Sequence, residues 1–321
     1  MSRIFQSSFS QHFTDFIKLR RVSGLDYSSQ EALLLKFDKY LFKIGRTGIL
    51  SFNDVQDFLE TEQAEKSFGQ KARMYQIIRH FYDYLAVFFP QQPNLPIGEY
   101  RRNKSRPIPK IFTEEELALL LKESKKISRH NEIRNKTLHA ALSLAIACGL
   151  RRSEIANLRL QDVNLDDQKL FINETKFGKS RIIPIGDDLC KILCDYISFR
   201  QQKYPLVTTE KFFITLHKTG LSGGWLYQSF QELLYKLGMA TAKGRNAHLH
   251  DLRHTFAVRT ISHWYQAGKD VQSLLPALAS YMGHEHYSNT AYYFTMTAEL
   301  LGIAVDNFDS VWKSEVLNEE D

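Results

Sequence analysis

Cysteine is scarce in this chain. Three among 321 residues are too few, and odd in number, for a disulfide scaffold, so the fold rests on a hydrophobic core and suits a reducing compartment. Two of them, Cys190 and Cys194, stand four apart with no His or Cys cluster beside them, which reads as helix packing rather than a metal site. No apolar run approaches the ~18 residues that cross a bilayer. The opening stretch MSRIFQSSFSQHF also lacks the apolar segment of a signal peptide. A cytoplasmic protein without membrane contact is expected. A GxxxxGK[ST] phosphate loop is missing, as is a carboxylate cluster for paired metal ions. Neither ATP nor a metal cofactor is therefore expected, and the cofactor expectation is none.

Proline is also rare, and it is clustered. Five of the eight (Pro90, Pro93, Pro96, Pro107 and Pro109) fall within twenty residues, beside Arg101, Arg102, Lys104, Arg106 and Lys110. Proline removes backbone donors and disfavours helix, so residues 91–111 read as an extended basic linker. At roughly 3.3 Å per residue it could reach on the order of 60 Å. The linker separates a domain at 1–90 from a second at 112–305, with an acidic tail at 306–321. Net charge is +6 overall; residues 1–110 carry +6, 306–321 carry −5, and the remainder +5. Two positive bodies favour an anionic partner, and the five linker cations are candidate DNA contacts.

Hydrophobic periodicity gives a mainly α fold with a small β-sheet. In the first domain the apolar sets Phe13/Phe16/Ile17, Leu33/Leu34/Phe37/Tyr40/Leu41, Val55/Phe58/Leu59 and Tyr75/Ile78/Tyr82/Leu85/Phe89 recur at helical spacing. They predict about four helices, the third capped by Ser51 or Asn53. On the last, Lys71, Arg73 and Arg79 are candidate phosphate contacts. In the second domain Thr113 and Glu116 form a capping box. Residues 169–175 and 181–185 read as two strands joined by a turn at 176–180, and helices resume from Cys190.

Five features of the second domain carry chemistry. In Gly149-Leu150-Arg151-Arg152-Ser153-Glu154, an apolar helix ends and Glu154 stands three residues after Arg151, able to hold its guanidinium from behind so that other donors face a phosphate. Lys176, Lys179 and Arg181 crowd the strand turn, where cations suit a DNA groove and one lysine could act as a general acid. His250 and Arg253 share a helical face. A metal reading of His248, His250 and His254 is disfavoured because the three do not share one face. Gly283-His284 reads as a turn, and Tyr293 follows His284 by nine positions. A phenol becomes a nucleophile where cations stabilise its oxyanion.

Taken in order as Arg, Lys, His-x-x-Arg, His, Tyr, these features resemble the tyrosine recombinases, the family of phage integrases and Xer-type resolvases. The likeness lies in GLRRSEI, TKFGKSRIIPIG, HDLRHTF and GHEHYSNTAYYF and spans about 113–295. The long segment WYQAGKDVQSLLPALASYMGH is most like transposon-borne members. The resemblance implies an N-terminal helical core-binding domain and a C-terminal α+β catalytic domain that clamp DNA. It also implies site-specific cutting and rejoining through a 3′-phosphotyrosyl intermediate, in integration, excision or transposition. By position, Tyr293 matches the nucleophile, Arg151 and Arg253 the phosphate clamp, His284 a further donor to the same oxygens, and His250 the proton-transfer position. Lys176 matches the hairpin lysine, Lys179 being the alternative, and Glu154 supports the first arginine. Lys179 and Arg181 are carried as DNA contacts. Implied partners are double-stranded DNA with specific sites and further copies of the chain, a tetramer in the synapse. An accessory DNA-bending protein or second recombinase is also implied as a candidate. A non-catalytic DNA-binding protein and a strand-relaxing enzyme are the rival readings. The 31-residue separation of Arg253 and His284 takes in Pro276, expected to begin a helix, and the intervening segment is a candidate protein contact.

Overall fold

The computed structural model describes residues 4–100, 109–173, 180–239 and 247–283, together with 290, 293 and 297. The chain divides into two units, Met1–Pro107 and Ile108–Asp321. Among the described residues no helix is long and apolar enough to cross a membrane.

The first unit contains α1 (Ser10–Val22), α2 (Ser28–Lys43), α3 (Phe52–Asp57) and α4 (Phe68–Phe88), with one π-helical turn at Phe58–Glu62 after α3. Ser51 caps α3, because its Oγ accepts from the Asp54 N–H while Asp54 accepts from the Ser51 N–H at 2.6 Å. The core is aromatic. Phe13 stacks on Phe81 with centroids 3.9 Å apart, and Phe16, Phe37 and Phe58 close around the pair, all fully buried. Buried Asp38 accepts from the Ser7 N–H, the Ser7 hydroxyl and the Gln6 N–H. It thereby pins the segment before α1 to α2. Lys71 is turned toward Glu60 at 3.3 Å with its side chain 12% exposed, rather than standing out as a phosphate contact.

The opening residues of the stretch read as an extended linker are docked on the first unit. Leu95 is buried in the first unit's core. The Gln92 side-chain amide accepts from the Leu50 N–H at 3.0 Å and donates to the Leu50 carbonyl at 2.7 Å. Tyr75 donates to the Pro96 carbonyl and Tyr100 to Glu60. Proline keeps this stretch out of helix, yet its amide, apolar and phenolic side chains still find partners on α4 and the α2–α3 loop. At the far end Phe112 is buried and its N–H donates to Thr255 Oγ1 at 3.1 Å. Lys110 is ion-paired with Glu116 at 2.7 Å, an exposed pair that costs little to exchange for a phosphate. Arg101, Arg102, Lys104 and Arg106 lie outside the described residues.

The second unit is built around α6 (Glu132–Cys148), whose Thr137, Leu138, Ala140, Ala141, Leu142, Leu144 and Ala145 are all buried. The run 140–145 is buried on every side, as suits a helix segment at the centre of a domain. Against it pack α5 (Glu114–Ser124), α8 (Asp187–Lys203), α9 (Gly223–Lys236) and α10 (Leu249–Gln266). α7 (Arg152–Asn157) follows α6 directly. The sheet is antiparallel in the order β1 (Val163–Asn164), β2 (Lys169–Ile172), β3 (Arg181–Pro184). Leu170 pairs with Ile183 and Ile172 with Arg181. Leu170, Ile172 and Ile183 face the core, while Phe171 and Ile182 face outward, as the two-residue period requires.

The interval between Arg253 and His284 is filled by the remainder of α10 and by α11 (Val271–Met282). Val271, Leu275, Leu278 and Met282 pack against Ala257, Val258 and Ile261 of α10, so its apolar face is covered within this unit and is not a docking face. Pro276 lies inside α11, not at its start; Asp270 is the cap, accepting from the Ser273 N–H. The proline is tolerated because it stands on the exposed side, where the carbonyl it leaves unbonded reaches water.

Candidate active site

The site forms where α6, α7, β3, α10 and α11 end or begin. Gly149 terminates α6 in the left-handed region at φ +59°, and a Cβ there would stand 2.6 Å from Phe256 Cδ1. That turn sets Arg151 at the N-cap of α7. The cap is completed by Glu154, whose Oε2 accepts from the Arg151 N–H at 2.8 Å. Arg151 is therefore the N-cap residue of α7.

Glu154 is the hub. Its Oε1 accepts from Arg151 Nη1 at 2.9 Å. Arg181 reaches it as a fork, Nη1 to Oε1 and Nη2 to Oε2, both at 3.0 Å. Burial alone would raise the Glu154 carboxyl, but the hydrogen bonds and charge of Arg181, then the backbone and side chain of Arg151, hold it below the usual carboxylate range. It is an anion at neutral pH.

Three successive carbonyls at the end of α11 each receive one guanidinium. Arg181 Nε donates to Tyr281 O at 2.7 Å, Arg253 Nη2 to Met282 O at 2.6 Å, and Arg151 Nη2 to Gly283 O at 2.6 Å. The last carbonyls of a helix have no intrahelical partner and carry its negative dipole end, so they suit cations. Arg253 also donates to Gly149 O at 2.8 Å, which joins the ends of α6 and α11. Its side chain is only 1% exposed. Burial, and next the charge of Arg151, push it down to about 10, still protonated at neutral pH. Three guanidiniums therefore face one carboxylate.

Gly283 must be glycine on two counts. It adopts φ +64°, and a Cβ would lie 3.0 Å from Arg181 Nη1, 3.2 Å from Arg181 Cζ and 3.5 Å from Arg151 Nη1. The backbone can therefore approach both guanidiniums only without a side chain.

Tyr293 is 3% exposed and belongs to the α10–α11 core. Its ring lies 5.3 Å from that of His254, and His254 stands 4.7 Å from His250. Tyr293 is also among the groups whose charge acts on Arg253. The structure thus brings together Arg151, Glu154, Arg253 and Tyr293, with His250 exposed one helical turn before His254 on α10. Lys176, Lys179 and His284 lie outside the described residues.

Arg181 does not occupy the outward position the sequence suggested. Its side chain is 11% exposed and spent on Glu154 and Tyr281 O. Alternation on β3 explains this, since Arg181 and buried Ile183 share the inner face while Ile182 takes the outer one. His254, given no role from sequence, is the ring between His250 and Tyr293. Among the described residues no group of three or more His, Cys, Asp or Glu could hold a metal ion.

The sequence model of the Phage integrase family matches residues 110–299. The chain belongs to this family. Its members are the tyrosine recombinases, enzymes that cut and rejoin DNA strands. Among relatives of this integrase-family chain is the Sinorhizobium fredii (strain NBRC 101917 / NGR234) protein named "Putative integrase/recombinase y4rE". It is 33% identical over 295 residues, covering 91% of this chain and 93% of the relative. The Tn1549 transposon integrase, solved in complex with circular intermediate DNA, superposes with a TM-score of 0.64 at 17% identity, covering 96% of this chain and 99% of the other. A lambda integrase tetramer bound to a Holliday junction superposes at 0.58 and 15% identity, covering 86% and 77%.

Proposed function

We propose that this integrase-family chain cuts and rejoins specific DNA sites through a covalent link between Tyr293 and a DNA 3′-phosphate. The observation that carries this reading is the convergence of three guanidiniums, balanced by one carboxylate, on the helix end beside the Tyr293 ring.

Tyr293 Oη attacks phosphorus. The bond from phosphorus to the 5′-oxygen breaks, and the phenolic proton leaves as the phosphotyrosyl ester forms. His250 receives that proton, and Lys176 delivers one to the departing 5′-oxygen; both roles rest on the family resemblance. Arg151 and Arg253 meet the charge that builds on the non-bridging oxygens, with His284 adding a donor. Each guanidinium has five N–H groups. Arg151 and Arg253 each spend two on the bonds described above, so neither guanidinium is exhausted by its protein partners. Donors held before the reaction are worth most, and losing one costs about 10²–10³ in rate. The phosphotyrosyl ester conserves the phosphodiester energy, so religation consumes no ATP, and the guanidiniums supply the positive charge without a metal ion.

The partner is duplex DNA, gripped by the two units and the basic stretch between them. Further copies of the chain assemble on it, four in the synapse. The acidic tail at 306–321 overlaps a set of apolar residues, Leu300, Leu301, Ile303, Ala304, Phe308, Val311 and Trp312, which the family resemblance assigns to docking on a neighbouring copy.

Covalent capture tests this. Wild type is incubated with nicked duplexes carrying a randomised segment, and DNA that resists denaturing wash is sequenced. Wild type should select and hold a site; Tyr293→Phe should bind that site and hold none. Linkage lost in Tyr292→Phe but kept in Tyr293→Phe would assign the nucleophile to the neighbouring residue.

A further inference from the structure

Arg181 lies outside the set of residues assigned to the chemistry, yet it is the most fully engaged guanidinium of the cluster. Three of its donors are committed, two to the carboxylate of Glu154 and one to Tyr281 O. Its position in the chain is informative. It opens β3, directly after the segment that carries Lys176 and Lys179. Glu154 in turn holds Arg151 through both its backbone N–H and its Nη1. The fork therefore spans three elements, β3, α7 and the end of α11, and each bears or adjoins a residue of the proposed chemistry.

We propose that Arg181 is a positioning residue: by gripping Glu154 bidentately it fixes the carboxylate that aims Arg151, and it does not contact DNA. The inference rests on the functional reading above. Glu154 has two oxygens and two cationic neighbours. Without the fork its carboxylate can rotate about its last bond and swing with Arg151, so the Arg151 fork no longer meets the phosphate at one fixed angle. Lysine cannot replace Arg181, because one ammonium cannot present three divergent N–H groups in a plane to two carboxylate oxygens and a carbonyl. Burial and the depressed Glu154 carboxyl agree with this assignment, since Arg181 contributes more to that depression than Arg151 does.

The test uses the full chain and the nicked duplex that wild type selects by covalent capture. Arg181→Met should link DNA at least tenfold more slowly than wild type. Its DNA affinity should stay within twofold, and the slope of log affinity against log salt should not change. A phosphate contact at Arg181 would instead lower that slope by about 0.9 and overturn the proposal. A second duplex carries a methylphosphonate at the cut position, which removes one charged oxygen and with it part of the demand on Arg151. There the Arg181→Met defect should shrink in step with that of Arg151→Gln. A merely structural defect would be the same on both duplexes and would overturn the proposal. Linkage by Arg181→Met within twofold of wild type would do so too. If the methionine variant does not fold, Arg181→Lys is measured the same way, with the same outcomes deciding. Failure of wild type to capture any duplex would overturn the functional reading itself, which separates the two failures.

Discussion

Gly283→Ala is the sharpest perturbation available, because two independent costs fall on one methyl group. The first is backbone strain. Gly283 sits at φ +64°, and an L-residue in that region loses about 1–2 kcal/mol. The second is contact. The new Cβ would stand 3.0 Å from Arg181 Nη1 and 3.2 Å from its Cζ. A guanidinium at the end of a flexible side chain would normally step aside, but this one is held by Tyr281 O and both oxygens of Glu154. Moving it gives up at least one charged hydrogen bond, about 1.5–3 kcal/mol. The total is about 2.5–5 kcal/mol, a fall in melting temperature of roughly 5–20 °C for a domain of this size. Gly268→Ala is the matched control: it has φ +64° as well, but nothing lies within 4 Å of the added Cβ, so only the strain term applies, roughly 2–8 °C. The assay pairs thermal unfolding with single-turnover linkage to a nicked duplex. Gly283→Ala should link about 10²–10³-fold more slowly, the loss of one preorganised donor, while Gly268→Ala links normally. Equal melting temperatures and equal linkage rates for the two variants would refute the claim that the α11 end is packed against the guanidiniums.

Other outcomes follow from the same contacts. Arg253→Lys should keep DNA affinity within a few-fold yet lose about 10²-fold or more in linkage rate, since a single ammonium cannot bridge Gly149 O and Met282 O and still offer a planar fork; single-turnover linkage beside a binding isotherm checks this. Phe81→Ala should destabilise the first unit by about 3–5 kcal/mol, because Phe81 is fully buried and stacked on Phe13, as read by urea unfolding. His139, pushed down to about 4 by burial first and Lys125 next, is neutral in the folded state at pH 6 and protonates more readily when unfolded. Stability is therefore lost as pH falls from about 6.5 to about 4, and His139→Gln should flatten that part of a melting-temperature profile. DNA affinity should fall steeply with salt, each neutralised phosphate adding a slope of about −0.9, as a titration at several salt concentrations would show.

Much of this arrangement was legible from residues alone. The Thr113 capping box forms as written in the sequence, the strand pair at 169–172 and 181–184 forms, and Arg151, Glu154, Arg253 and Tyr293 converge across 142 positions of chain because each stood in a local pattern with chemical meaning. What escaped was tertiary. The carbonyls of Gly149, Tyr281, Met282 and Gly283 carry no residue-type signal, since any residue has a carbonyl. Arg181 was misplaced because a cation near a turn looks solvent-facing, although the alternation Arg181, Ile182, Ile183 already put it on the inner face. Residues 91–100 read as extended linker because proline excludes helix; nothing local shows that Gln92 has a backbone partner 42 positions away. His254 sat inside a recognised motif, but its neighbours in sequence do not reveal the Tyr293 ring.

The docking of residues 91–100 sets where the chain can be cut. An amino-terminal fragment stopping at residue 90 would strip away the Gln92 amide that pairs with Leu50, the Leu95 plug and the acceptor of the Tyr75 hydroxyl, exposing the floor they cover and inviting aggregation. Extending the fragment ten residues keeps that floor sealed, so for expressing this half alone the useful stop codon follows Tyr100.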